Sequence, residues 1–149
     1  MTTLRLTPEL TCGFEEIDGQ HRILMQRLEA AVQAARADDL AAAKAALSAL
    51  GDYLAAHFNS EEALMAANSY PERGRHKSAH DLFMQDFAQL GREVEATGLS
   101  IPNMLWIVSR MPEWIKFHIQ VNDLPLGRFM AAQRFRSTAP AASAKPPRA

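Results

Sequence analysis

A chain of 149 residues with 48% hydrophobic and 22% charged content has the size and composition of one globular domain with a real core. Its formal net charge of −1, with acids and bases interspersed through most of the chain, excludes the basic footprint of a nucleic-acid binder. The single Cys12 excludes an internal disulfide, residues 1–10 hold no signal-peptide core, and no apolar run approaches the roughly 18–20 residues of a bilayer span, so a soluble, cytoplasmic protein is expected.

An N-terminal arm, residues 1–17, carries Pro8 and Gly13. Four segments follow in which apolar residues recur at steps of three and four, the pattern of an amphipathic helix. The first spans 18–37. Asp38-Asp39 then supplies a break and an N-cap for an alanine-rich second helix over 40–67. Asn68-Ser69-Tyr70-Pro71 stops it, a third helix spans 72–96 and ends at Gly98, and Ile101-Pro102-Asn103 opens a fourth that reaches 121. Pro112 lacks an N–H and should kink that helix. A short fifth helix is expected over 126–135. Residues 131–149 turn to Ala, Ser and Pro with Arg134, Arg136, Lys145 and Arg148 and no acid, and they read as a disordered basic tail. The alternative for the tail is a docking segment for an acidic protein or a membrane surface. The fold class is all-α: an up-down-up-down four-helix bundle over 18–130, with an N-terminal arm and a short C-terminal helix.

The apolar seams of these helices hold residues that cores normally exclude. Ile17, His21, Leu24 and Leu28 share a face of the first helix; Leu47, Leu50, Leu54, His57, Glu61 and Leu64 share one of the second. The third gives His76, His80, Phe83, Phe87, Leu90 and Val94, and the fourth gives Met104, Val108, Met111, Ile115 and His118, with Asp123 five residues on. All five histidines of the chain therefore point at the bundle interior. One inward histidine is more often a hydrogen-bonded core residue, but five with a buried carboxylate ask for a cation, because an uncompensated carboxylate costs several kcal/mol in an apolar interior. His118 and Asp123 lie about 140° apart on an ideal helix, so both reach one site only if the helix end unwinds or a second metal takes up the distance.

Imidazole and carboxylate without thiolate suit iron, copper, zinc or manganese. If both carboxylates bridge two metals, five nitrogens, four oxygens and one bridging oxo or hydroxo group make about eleven bonds where two octahedral ions want twelve. One position stays open, and an apolar surrounding suits a small ligand such as oxygen. Zinc, which prefers four donors, has no use for so many. Met25, Met65, Met84, Met104 and Met111 read as core filler.

These residues resemble the hemerythrin family in its bacterial single-domain form. The resemblance covers about 13–130 and rests on Ile-Asp-Gly-Gln-His at 17–21, His-Phe-Asn-Ser-Glu at 57–61 followed by Met65, Tyr70-Pro71, His-x-x-x-His at 76–80 followed by Phe83, and Trp114 with His118-Ile119 and Asp123. It implies reversible binding of molecular oxygen at a non-haem di-iron centre. By the same resemblance His76, His80 and His118 would hold the saturated iron, His21 and His57 the iron with the open position, and Glu61, Asp123 and an oxo or hydroxo group would bridge them. Leu24, Phe58, Trp114 and Ile115 would line the oxygen pocket. Catalysis is not expected. The Glu-x-x-His pairs of ferritin-like enzymes and the His-Glu-x-x-His of zinc peptidases are both missing from the sequence. The alternatives are an oxygen or iron sensor module and a redox enzyme acting on peroxide or nitric oxide.

Overall fold

A computed structural model describes residues 4–138; the remainder of the expected tail, and its docking role, lie outside the described residues. Helices α1 (Glu15–Arg36), α2 (Leu40–Ala67) and α3 (Arg73–Thr97) form three legs of the bundle. Local chemistry sets their ends. Asp39 caps α2 by accepting from Ala42 N at 3.0 Å, after Asp38 turns the chain at φ 55°. Gly98 ends α3 in the left-handed region at φ 67°, and its N–H donates to Val94. Ser100 then accepts from Asn103 N and starts the fourth leg.

That fourth leg is longer and less regular than the sequence suggests. Helical backbone runs through α4 (Ile101–Leu105), a π turn (Trp106–Arg110), α5 (Met111–His118), a second π turn (Ile119–Asp123) and α6 (Leu124–Thr138). The expected short C-terminal helix is thus continuous with the fourth. It also covers residues 131–138, the first part of the stretch that composition assigns to the tail. Its anchors are Leu124, Leu126 and Met130, all buried, and Arg134, which pairs with Glu16 of α1 at 3.2 Å and lies over the Phe14 ring. The irregularity expected at Pro112 is a change of hydrogen-bond register. A π turn ends just before it, so the missing N–H falls where the ladder is already shifting. The underwound turn also moves the seam: Asn103, Ile107, Met111 and Ile115, at three successive steps of four, are buried, whereas Met104 and Val108 are half-buried.

Two apolar clusters fill the bundle. The larger includes Leu24, Leu28, Leu50, Leu54, Phe58, Phe83, Met111, Ile115 and Ile119; the smaller joins Phe14, Ile17, Met65, Tyr70, Leu126 and Met130. Along α1, α2 and the fourth leg, the chain passes from one cluster to the other through His21, Glu61 and Asp123. The polar site is therefore sealed at both ends by hydrocarbon. Met25, Met65 and Met111 are buried, and Met84 and Met104 pack against the core. No helix of the described residues is long and apolar enough to cross a membrane.

Two carboxylates of α1 tie down the arm: Glu29 accepts from Leu4 N at 2.9 Å, and Asp18 holds the end that enters the helix. Buried Asp18 accepts from Cys12 N at 3.0 Å and from Gly13 N at 2.9 Å, and Gly13 turns the chain at φ 84°. Cys12 packs against Gly127 of α6, where a side chain would overlap its sulfur. Burial, with Asp18 beside it, pushes the Cys12 thiol up to about 12, so it is an inert filler and not a nucleophile. Replacing Asp18 with Ala strands two backbone donors that were bonded to a charged group. A loss of about 2 kcal/mol in urea unfolding is expected, with proteolysis at the arm faster than in the wild type.

Candidate metal centre

Four legs each deliver ligand-type side chains to one level of the bundle. His21 comes from α1, His57 and Glu61 from α2, His76 and His80 from α3, and His118 and Asp123 from the fourth leg. All seven are at most 3% exposed. The structure brings together every residue that the sequence pattern marks as a candidate ligand. The five-residue step from His118 to Asp123 is accommodated because Ile119–Asp123 is a π turn, in which the ladder runs from i to i+5 and residues five apart come onto one face. Local unwinding is thus what lets both side chains reach inward.

The two carboxylates divide the histidines into halves. Glu61 Oε2 lies 3.1 Å from His57 Nε2 and 3.6 Å from His21 Nε2, and Asp123 Oδ2 lies 2.8 Å from His21 Nε2. The other oxygens face the other way. Glu61 Oε1 is 3.2 Å from His76 and 3.1 Å from His80, and Asp123 Oδ1 is 2.9 Å from His76 and 3.1 Å from His118, each to Nε2. Donor atoms thus form one group of three histidines and one of two, sharing both carboxylates, with the atoms of each group within 4.8 Å of one another.

This geometry fits cations better than it fits a hydrogen-bonded polar core. Both Glu61 oxygens, Asp123 Oδ1 and the Nε2 atoms of His21, His57 and His76 are buried without a hydrogen bond. They approach to 2.8–3.2 Å yet are not aligned for hydrogen bonding, as expected of atoms that converge on points between them. Buried polar atoms left in that condition cost about 1–3 kcal/mol each. Coordination would remove that cost.

Outer partners orient some of the rings. Gln20 Oε1 lies 2.7 Å from His57 Nδ1, Glu62 Oε2 2.9 Å from His80 Nδ1, and the Asn122 amide 3.1 Å from His118 Nδ1. For His57 and His80, whose Nδ1 donates outward to an oxygen, Nε2 is left as the inward lone pair that a metal needs, whereas His118 Nδ1 accepts from the Asn122 amide nitrogen. Phe58 stacks on His80 at 3.9 Å between centroids, and Trp114 on His118 at 4.6 Å. Gln20, Glu62 and Asn122 are not identified by the sequence pattern, although each is adjacent in the chain to a candidate ligand.

Against His57, His118 and Asp123 lies a small cavity of about 10 Å³ that touches one histidine of each half, about the space of one water. Leu24, Phe58, Trp114 and Ile115, the expected pocket residues, all line it. Leu54 and Ile119 line it too and were not singled out by the pattern. Trp114 is half-buried; the other five apolar walls are at most 4% exposed.

Electrostatics follow from the packing. Burial alone would lower the His21 and His76 imidazoles, but Asp123 and Glu61 beside them override it and raise His21 to about 10 and His76 to about 9. Burial would raise Glu61, yet His57, His21 and His76 hold it well below the usual carboxylate range; burial and Glu61 oppose the lowering of Asp123, which His118 and His21 impose.

Comparison with known proteins accords with this chemistry. Residues 12–126 match the model of the hemerythrin HHE cation binding domain. The chain is 28% identical over 123 residues to a bacteriohemerythrin of Stenotrophomonas maltophilia, covering 83% of this chain and 78% of that protein. It is 25% identical to a bacteriohemerythrin of Ralstonia nicotianae over 88% of this chain and 91% of that protein, and 29% identical to a hemerythrin-like protein of Naegleria gruberi over 75% and 81%.

Two measurements test the electrostatics. Histidines that hold protons at neutral pH must lose them to a metal, so metal uptake at pH 7 is expected to release about two protons per chain. Calorimetry in buffers of different ionisation enthalpy counts them, and no release would contradict the raised values. In the metal-free protein, the raised histidines stabilise the fold fully below the ordinary value of 6.5 and cease to do so as pH rises through about 9 and 10. Thermal stability of the metal-free chain should therefore fall progressively from about pH 6.5 to about pH 10, and the metal-loaded chain should not follow it.

Proposed function

The chain belongs to the hemerythrin family, and from that premise we propose that it binds molecular oxygen reversibly at a non-haem di-iron centre and serves in oxygen storage, delivery or buffering. The observation that carries this reading is the division of the two carboxylates between a three-histidine and a two-histidine group, next to a cavity of one-water size. His76, His80 and His118 would hold one iron, His21 and His57 the other, and Glu61 and Asp123 would bridge them. When bound there, such a pair would supply the two-electron chemistry that reversible oxygen binding requires.

The protein's own contribution is exclusion. Leu24, Leu54, Phe58, Ile115 and Ile119 surround the cavity with hydrocarbon, and the lining includes no proton donor beyond the ligand residues themselves. A wall of this kind keeps water and protons from the reduced ligand and so opposes its loss as peroxide or superoxide. The cavity has no room for a bulky polar substrate, which supports binding over turnover and no enzymatic role. Sequestration of this kind suits a carrier better than a peroxide or nitric oxide reductase, which needs a proton source at the reacting ligand.

The test is anaerobic loading with ferrous iron, a metal count, and visible spectra through repeated cycles of oxygen addition and removal. Two irons per chain and a charge-transfer band that appears and vanishes reversibly are expected. Irreversible oxidation on the first cycle, or turnover of peroxide or nitric oxide with a reductant, would overturn the reading. Ile119→Ala opens the wall, should cost about 2–5 kcal/mol of stability, and should make oxidation of the loaded protein several-fold faster per cycle.

A further inference from the structure

The outer partners of the histidines are unequal in charge, and that inequality falls on one half of the centre. In the two-histidine half, His57 Nδ1 faces the neutral amide oxygen of Gln20, and His21 Nδ1 has no partner. In the three-histidine half, His118 Nδ1 faces the neutral Asn122 amide, His76 Nδ1 has no partner, and His80 Nδ1 faces the carboxylate of Glu62 at 2.9 Å. Glu62 is thus the one anion that contacts the back of a histidine ring among the described residues. Its own ring partner is well fixed, since His80 is stacked under Phe58 with an interplanar angle of 9°.

A carboxylate that accepts the Nδ1 proton draws positive charge out of the ring and leaves Nε2 a stronger electron donor. A stronger donor favours the more oxidised metal. We propose that Glu62 is a positioning residue that makes the metal held by His76, His80 and His118 the first of the two to give up an electron. The inference rests on the di-iron reading above. One electron passes from that metal to an added one-electron oxidant of the ferricyanide class, no bond is made or broken, and the Nδ1 proton stays within the His80–Glu62 hydrogen bond. Because the Glu62 side chain is 22% exposed, solvent screens part of its charge. Removing partners of this kind changes metal affinity by about 10–100-fold, and with Glu62 partly screened a change of about tenfold in the preference for the oxidised over the reduced metal is expected.

The experiment uses the full chain loaded anaerobically with ferrous iron, in the wild type, Glu62→Gln and Gln20→Glu. Iron is counted, helicity is checked, and each protein is oxidised stepwise with ferricyanide while the two midpoint potentials are followed spectroscopically. Glu62→Gln keeps the shape of the side chain and removes its charge. It should raise the first midpoint by a tenfold change in equilibrium constant, about 59 mV for one electron, with the second potential moving less. Gln20→Glu adds an anion behind His57 in the other half and should lower chiefly the second midpoint. A merely structural role for Glu62 would weaken iron retention and leave the potentials alone. Two bound irons with an unmoved first midpoint in Glu62→Gln would overturn this proposal and leave the di-iron reading standing. A wild type that fails to hold two irons would overturn that reading, and the proposal with it.

Discussion

Glu61 and Asp123 are two carboxylates side by side in the dry interior of a helical bundle, and the rest of the structure is arranged around that constraint. Each is at most 1% exposed, and they are close enough that Glu61 disfavours the charge on Asp123. Left alone, such a pair would take up a proton or open the bundle to water. Five imidazoles converge on it from four directions, and together the seven side chains make two overlapping groups of donors. A pair of cations, as proposed, would satisfy all of them at once.

The fold explains how so polar a cluster is held. Hydrocarbon lies on both sides of it along the bundle axis, Ile17, Met65 and Leu126 at one end and Leu24, Leu54 and Phe58 at the other. The helices that carry the cluster are anchored outside it, α1 through Asp18 and the arm, and α6 through its packing on Phe14 and the Arg134–Glu16 pair. Helix α6 continues the leg that carries His118 and Asp123, so its anchoring also steadies the π turn that turns Asp123 inward. The π turn gives up regular backbone geometry at the point where the site needs a five-residue step, a common place for such bulges. Stability and ligand placement are thus provided by the same contacts.

Much of this was legible in the chain. His21, His57, Glu61, His76, His80 and His118 sit at steps of three and four among Leu, Phe and Ile, so periodicity alone puts them inside. Asp123 is different. Its step of five breaks the helical pattern, and only the underwound ladder seen in the structure reconciles it with the seam. The π turns themselves leave no local signature, since the hydrogen-bond register of a helix is decided by what its side chains pack against. The same limit blurred the end of α6: a short helix to 135 was expected, but the composition after Ala131 is also that of a solvated tail, and the contact that orders Arg134 comes from a residue more than a hundred positions earlier. Leu54 and Ile119 could not be told from ordinary core residues. Gln20, Glu62 and Asn122 could have been suspected from their position next to ligand-type residues. Gln20 and Glu62, however, serve histidines on other helices, which sequence adjacency cannot reveal.

If the divided carboxylates hold two metals at once, X-ray absorption at the iron edge of the anaerobically loaded protein will show it. A shell of nitrogen and oxygen donors with imidazole scattering is expected and, beyond it, a distinct iron neighbour. Absence of that iron neighbour in protein carrying its full complement of metal would mean that the seven side chains serve single, unpaired ions and that the two carboxylates do not join a metal pair.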